Sequence, residues 1–230
     1  MKATYATEFV GTLFLVLTIG LAVAAGTPLA PLAIGGVLMA LVYMGGHVSG
    51  AHYNPAVTLA VWMRGKLPAA DVAPYVVAQL AGAAAGALAA YALTGRTFAP
   101  APGDGVSLGR ALLAEALYTF ALALVVLNVA TSRQTEGNSF FGLAIGGTVA
   151  AAAFTAGPVS GGAFNPAVGL GPALVHALLG GGAVGHAWVY VAGPLAGAAL
   201  AALLFRLQNP ADVEQAIPAP PPGEVVGPSA

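Results

Sequence analysis

The chain contains no cysteine and very little charge, with seven Lys and Arg against eight Asp and Glu in 230 residues. Without cysteine there is no disulfide, no thiolate metal site and no Cys nucleophile, although the absence does not identify a compartment. Charged residues make up 7% of the chain, where a soluble domain carries about 25%. So few charges do not cover a water-facing surface. A net charge of −1 leaves no basic footprint for nucleic acid. No Ser-His-Asp set, metal-ligand spacing or phosphate loop marks an enzyme, a metal site or a cofactor.

What is present is apolar: 58% hydrophobic residues, with 32 Gly. Apolar segments fall at about 5–25, 29–46, 72–93, 110–130, 139–156 and 184–205, each near the roughly 20 residues a membrane helix needs. Two shorter stretches, 55–63 and 166–179, are too short to cross alone. The reading is an all-α membrane protein with six transmembrane helices and two half-spans, set in a bilayer. The first run follows Lys2 and has the outline of a signal peptide, but it is long for one. It also carries Glu8, and a similar segment returns in mid-chain. Residues 1–207 form the membrane domain. Residues 208–230 are expected to be a disordered, Pro-rich tail.

The chain repeats itself. Leu32-Ala33-Ile34-Gly35-Gly36 recurs 111 positions later as Leu143-Ala144-Ile145-Gly146-Gly147. At the same offset, Val48-Ser49-Gly50 recurs as Val159-Ser160-Gly161, and Asn54-Pro55-Ala56-Val57 as Asn165-Pro166-Ala167-Val168. Glu8 is echoed by Glu115, and Leu80-Ala81-Gly82-Ala83 by Leu195-Ala196-Gly197-Ala198. The unit, about 5–93 and again 110–205, is three spans and one half-span. Three is odd, so the second copy enters from the opposite face and the repeats are inverted. Lys2, Arg64, Lys66, Arg133 and Arg206 then share a face with both termini, against Arg96 and Arg110 on the other. The positive-inside rule makes that face cytoplasmic, and the plasma (inner) membrane is the expected location. Gly82 with Gly86, and Gly193 with Gly197, read as small faces for close helix packing.

Asn is a favoured N-cap, and Pro fits the first helical turn because no donor is needed there. Each Asn-Pro-Ala therefore opens a short helix, which at about 1.5 Å per residue reaches half a bilayer. Two such helices from opposite faces point their positive N-termini at one another. The preceding loops, 45–53 and 157–164, would be non-helical backbone at membrane depth, which is tolerated only inside protein or along a wet cavity. Each Asn can cap its helix through oxygen and present its NH2 outward. A third copy, Asn209-Pro210-Ala211, lies beyond the last span without a repeat partner. It reads as a helix stop.

The stretch His47-Val48-Ser49-Gly50-Ala51-His52-Tyr53-Asn54-Pro55-Ala56-Val57-Thr58 resembles the first signature loop of the major intrinsic proteins, the aquaporins and glycerol facilitators. Ser160-Gly161-Gly162-Ala163-Phe164-Asn165-Pro166-Ala167 resembles the second. The resemblance, over roughly 5–205, implies an aquaporin-like fold with two re-entrant half-helices, a pore in each subunit, and a homotetramer. The pore turns would be Asn54, Pro55, Ala56 and Asn165, Pro166, Ala167. It also implies that Glu8 and Glu115 are buried and hydrogen-bond the re-entrant loops, with His52 in the same supporting role. Proton relay is the sharper alternative for such intramembrane acids.

The chain departs from the family where selectivity is set. Water channels of the family usually place Arg directly after the second Asn-Pro-Ala, and here that residue is Val168. Matched spacing assigns the other narrowing positions to Ile34, Ala153 and Gly162. This quartet has no donor, charge or aromatic ring. Gly169 stands where glycerol facilitators usually carry Asp, and Val168 with Gly171-Pro172-Ala173 is similar to some plant vacuolar aquaporins. The expected function is a passive channel for water and small neutral solutes such as ammonia, urea or glycerol. The alternative is a secondary transporter, which shares the inverted-repeat architecture. His176 and His186 flank the second half-helix and read as interfacial side chains, with pH gating as the sharper alternative.

Overall fold

A computed structural model of the chain describes residues 2–180, 182 and 184–214. Its helices are α1 (Ala3–Ala25), α2 (Ala30–Ser49), α3 (Pro55–Met63), α4 (Ala69–Thr94), α5 (Leu108–Thr131), α6 (Phe141–Thr155), α7 (Gly157–Ser160), α8 (Pro166–Val175), α9 (Val189–Gln208) and α10 (Pro210–Glu214). Among the described residues there is no strand. Helices α1, α2, α4, α5 and α9 are each long and apolar enough to cross a membrane.

The remaining span, fifth in chain order, is α6 with α7. Shifted by 111 residues, α2 falls on 141–160, so α6 and α7 together are the copy of one continuous helix. Pro158 supplies no backbone N–H and disfavours helical geometry at Gly157, which interrupts the second copy there. The other correspondences are α1 with α5, α3 with α8 and α4 with α9. The last span begins at Val189, five residues later than its hydropathy suggested.

Close packing follows the glycines. A Cβ on Gly82 or Gly86 of α4 would meet the carbonyl oxygens of Phe9 and Leu13 in α1. One on Gly193 or Gly197 of α9 would meet those of Leu112 and Ala116 in α5. The repeated Leu-Ala-Ile-Gly-Gly has the same use. Gly35 of α2 and Gly146 of α6 lie against each other's backbone, where the two halves of the chain meet. Lipid tails give apolar helices no hydrophobic reason to associate, so van der Waals contact between near-touching backbones supplies the attraction.

Lys2 pairs with Asp71 at the start of α4, and Arg206 donates to Met63 O at the end of α3. Arg64 pairs with Asp212, whose carboxylate also accepts from Arg133 N. Lys66 and Arg133 line one vestibule. These five cations and both ends of the described chain thus share what we call the basic face.

Two expectations are corrected here. The tail was expected to be disordered from residue 208, yet Pro210–Glu214 is helical and Asp212 is buried. The cause is the buried Arg64 guanidinium, which attracts a partner from the chain end. Residues 215–230, also expected to be disordered, lie outside the described residues. The re-entrant loops are shorter than their Gly content implied. Helix α2 runs to Ser49 and α7 to Ser160, leaving 50–54 and 161–165 non-helical. Packing retains the intervening glycines in helix, as at Gly45, which lies against Tyr53 and Thr7.

Candidate pore

Asn54 and Asn165 begin α3 and α8 in extended backbone. Asn54 Oδ1 accepts from Ala56 N at 2.8 Å, and Asn165 Oδ1 from Ala167 N at 2.9 Å. Pro55 and Pro166 take the first helical position in each. The amide nitrogens cross over. Asn54 Nδ2 donates to Phe164 O at 2.9 Å, and Asn165 Nδ2 to Tyr53 O at 2.8 Å. Each half-helix is thereby tied to the loop of the other. An amide NH2 carries two donors, so one N–H of each Asn builds the junction and the second is available to a solute. Both Asn line the pore cavity described below.

The carbonyls that receive these bonds are aimed by unusual backbone. Tyr53 and Phe164, at equal places in the two repeats, have φ of 48° and 49°. Left-handed backbone at a bulky residue costs about 1–3 kcal/mol and persists only where the surroundings over-determine it. Glu8 and Glu115 do so. Glu8 Oε1 accepts from Ser49 Oγ (2.7 Å) and His52 N (2.9 Å), while Oε2 accepts from Tyr53 N (2.7 Å) and Gln79 Nε2 (2.8 Å). Glu115 Oε1 accepts from Ser160 Oγ (2.7 Å) and Ala163 N (3.0 Å), and Oε2 from Phe164 N (2.6 Å). Both carboxyls are fully buried. This arrangement satisfies loop donors that have no helical partner.

Sequence reasoning passed over four supporting residues. Tyr75 Oη donates to Ser49 O at 2.7 Å and Tyr190 Oη to Ser160 O at 2.6 Å, closing the last turns of α2 and α7. Their offset matches that between the third and sixth spans, which was the available signal. Gln79 and Thr58 occur on the first side only. Gln79 Nε2 donates to Thr58 Oγ1 at 2.9 Å, and Thr58 Oγ1 bonds His52 Nδ1 at 3.1 Å. His52 therefore supports its loop through backbone N and side chain alike.

A cavity of about 230 Å³ runs along the junction. Its wall includes both Asn, the loop residues Ala51, His52, Tyr53 and 161–164, and all four residues assigned by spacing: Ile34, Ala153, Gly162 and Val168. Gly162 has φ of 68°, so its backbone forms the wall. Ala56 and Ala167 are buried behind their Asn at the start of each half-helix. A second, wider vestibule of about 890 Å³ opens at the basic face. His176 and His186 line a separate small pocket, with His176 Nδ1 2.8 Å from Thr97 Oγ1.

The third Asn-Pro-Ala does different work. Asn209 closes α9, its N–H bonding Phe205 O, and its side chain donates to Asn128 Oδ1 at 3.2 Å.

Known proteins share these features. The family description "Major intrinsic protein" matches residues 1–205. The chain is 41% identical to a probable aquaporin, AqpM, of Archaeoglobus fulgidus, over 74% of this chain and 71% of that protein. It is 38% identical to the glycerol uptake facilitator protein-like 6 of Lactiplantibacillus plantarum, over 90% of this chain and 99% of that one. The fold superposes on the aquaglyceroporin of Plasmodium falciparum with a TM-score of 0.82 at 23% identity, covering 91% of this chain and 97% of the other.

Proposed function

The chain belongs to the major intrinsic protein family, and from that premise we propose that its two Asn-Pro-Ala turns line the conducting path for water and small neutral solutes. The protein is a multi-pass membrane channel, and family membership sets aside both an enzyme and a coupled transporter. The observation that carries the site assignment is the reciprocal pair of bonds from Asn54 to Phe164 O and from Asn165 to Tyr53 O, at the wall of one cavity.

Both half-helix N-termini face the junction, so their partial positive charges oppose a cation there. The remaining Asn donors bond the oxygen of a water in passage. Selectivity in aquaporin-type pores combines pore diameter, lining donors and an electrostatic barrier, and this junction supplies the last two. Val168 with Ile34, Ala153 and Gly162 gives the opening on the face opposite the basic one a wall without charge, donor or aromatic ring. That wall neither repels neutral solutes nor holds them by hydrogen bonds. Cation exclusion then rests on the half-helix ends and the two Asn. We assign Glu8, Glu115 and His52 to holding the loops, since the hydrogen bonds they make run to the loop backbone and its neighbours.

The subunit places large apolar side chains such as Leu88, Leu113, Leu117 and Leu200 on its exterior. We propose a homotetramer in the bilayer, with the basic face and both termini cytoplasmic in a plasma (inner) membrane. Native mass spectrometry in detergent and protease access in sealed vesicles check the two points.

Stopped-flow light scattering of reconstituted vesicles tests the function. Flux of water and ammonia should rise linearly with the gradient and be independent of ion gradients. The variant Val168→Arg should cut ammonia and urea flux by about tenfold while water flux persists, a size of effect usual for loss of fit in a tight site. Unchanged solute selectivity would remove Val168 from the wall of the conducting path.

A further inference from the structure

The inverted repeat gives residues along the path a mate on the other side of the Asn pair, and the mates differ in size. Ile34 corresponds to Ile145 and Val168 to Val57, so these positions are equal on the two sides. Ala153 corresponds to Val42, Gly162 to Ala51 and Ala163 to His52. In each of these three pairs the bulkier side chain lies toward the basic face. Two pairs run the other way: Ile19 of α1 is matched by Val126 of α5, a difference of a single methylene, and Val23 by Ala130, farther from the Asn pair.

Two cavities adjoin at the level of these mates. The pore cavity runs from Val23 and Pro31 past Ile34, Ala153, Gly162 and Val168 and beyond the Asn pair to Val57 and Ile145. The vestibule enters from the basic face and has Val42 in its wall. Ala51 and Val57 belong to the wall of the pore cavity, and His52, Val126 and Ile145 belong to both walls. The first ring therefore lies wholly in one cavity wall, and its mate spans the level at which the two cavities adjoin. Burial agrees in three of the four pairs: Val42, Ala51 and Ile145 are buried where Ala153, Gly162 and Ile34 are half-buried, while Val57 and Val168 are both buried.

We propose that the size limit for solutes is set by this second ring, formed by Val42, Ala51, Val57 and Ile145 with His52, on the basic side of the Asn pair. The inference rests on the channel reading and adds where that channel sorts its solutes. The ring is aliphatic except for His52, whose Nδ1 is engaged by Thr58 Oγ1. It passes water and single-centre neutral solutes such as ammonia and retards polyols such as glycerol, which need both width and several hydrogen-bond partners. The ring of Ile34, Ala153, Gly162 and Val168 is a wide antechamber that does not select by size. Adding Arg at position 168 narrows that antechamber, so the effect predicted for Val168→Arg is consistent with a wild-type limit elsewhere.

The experiment compares glycerol and water permeability of vesicles holding the wild type, Ile145→Ala, Val42→Ala or Ile34→Ala, normalised to protein content. Ile145→Ala and Val42→Ala should raise the glycerol-to-water ratio by about tenfold, the scale on which removed methyl groups change fit in an apolar site. Ile34→Ala should give the smaller rise. Val42→Ala guards against misfolding of Ile145→Ala, since Ile145 adjoins the tight α2–α6 contact. Equal responses, the reverse order, or no response from either inner variant with water flux intact would overturn the proposal. Wild-type vesicles that pass water no faster than empty ones would sink the channel reading, and this inference with it.

Discussion

Glu8 and Glu115 show how one buried side chain sets a functional geometry. Each accepts from loop donors that the left-handed turn at Tyr53 or Phe164 leaves without a helical partner. Substituting Gln at either position turns an acceptor oxygen into a donor that faces backbone N–H groups. Leaving a buried donor unmatched costs about 1–3 kcal/mol, so Glu8→Gln and Glu115→Gln should both lower the melting temperature in detergent. Tyr190→Phe removes one bond to Ser160 O and should cost about 1 kcal/mol, the net worth of an ordinary hydrogen bond. An unchanged melting temperature in all three would show that the loops hold without these contacts. The two acids were legible because each recurs at a matched position in an otherwise apolar span. Tyr75 and Tyr190 were not, because a Tyr within a helix gives no local sign of which carbonyl its hydroxyl will reach.

The half-helices needed little beyond their sequence. Asn, then Pro, then a short apolar run specifies a capped start and a length of about half a bilayer. What the pattern did not specify was where the preceding helices stop. Gly and Ser near the ends of α2 and α7 read as loop, because glycine disfavours an isolated helix. In the fold those glycines are the residues that allow close approach. Replacing Gly86 by Leu should push α4 off the Leu13 carbonyl, and Gly197→Leu should push α9 off Ala116. Overpacking of this kind costs typically about 1–3 kcal/mol, and more where backbone is the obstacle. Each variant should therefore give a lower yield of monodisperse protein by size-exclusion chromatography than Gly36→Leu, where a Cβ meets nothing within 4 Å. Equal yields would remove these glycines from the packing argument.

The segment after the last span is joined to the end of the first half-helix by one buried ion pair. Arg64 follows α3, its guanidinium lies 4.8 Å from the centre of the Phe205 ring, and it sits 3.6 Å from Asp212 of α10. Burial lowers the Arg64 pKa from its ordinary value, and the Asp212 carboxylate opposes that shift. The side chains are 2% and 5% exposed, which separates this pair from Lys2–Asp71, where Lys2 is 68% exposed. Removing one partner of a buried pair leaves an uncompensated charge and costs about 3–5 kcal/mol. Asp212→Ala should thus lower the melting temperature clearly, whereas Lys2→Ala should change it little. Truncation after residue 209 should reproduce Asp212→Ala; if it does not, α10 is not what holds Arg64.

The sequence by itself determined the membrane class, the inverted duplication, the two half-helices and the pairing of Glu8 with Glu115. All of these rest on spacing and side-chain type, which a linear chain carries in full. It also picked out Ile34, Ala153, Gly162 and Val168, which the fold brings to one cavity wall. Only the tertiary structure decided that the two Asn tie each other's loops, that α10 docks on Arg64, and that the cavities meet at His52, Val126 and Ile145. Repeat symmetry states which residues correspond, but the width at each level depends on how several helices lean together. That width is a property of packed surfaces, and no single segment of the chain contains it.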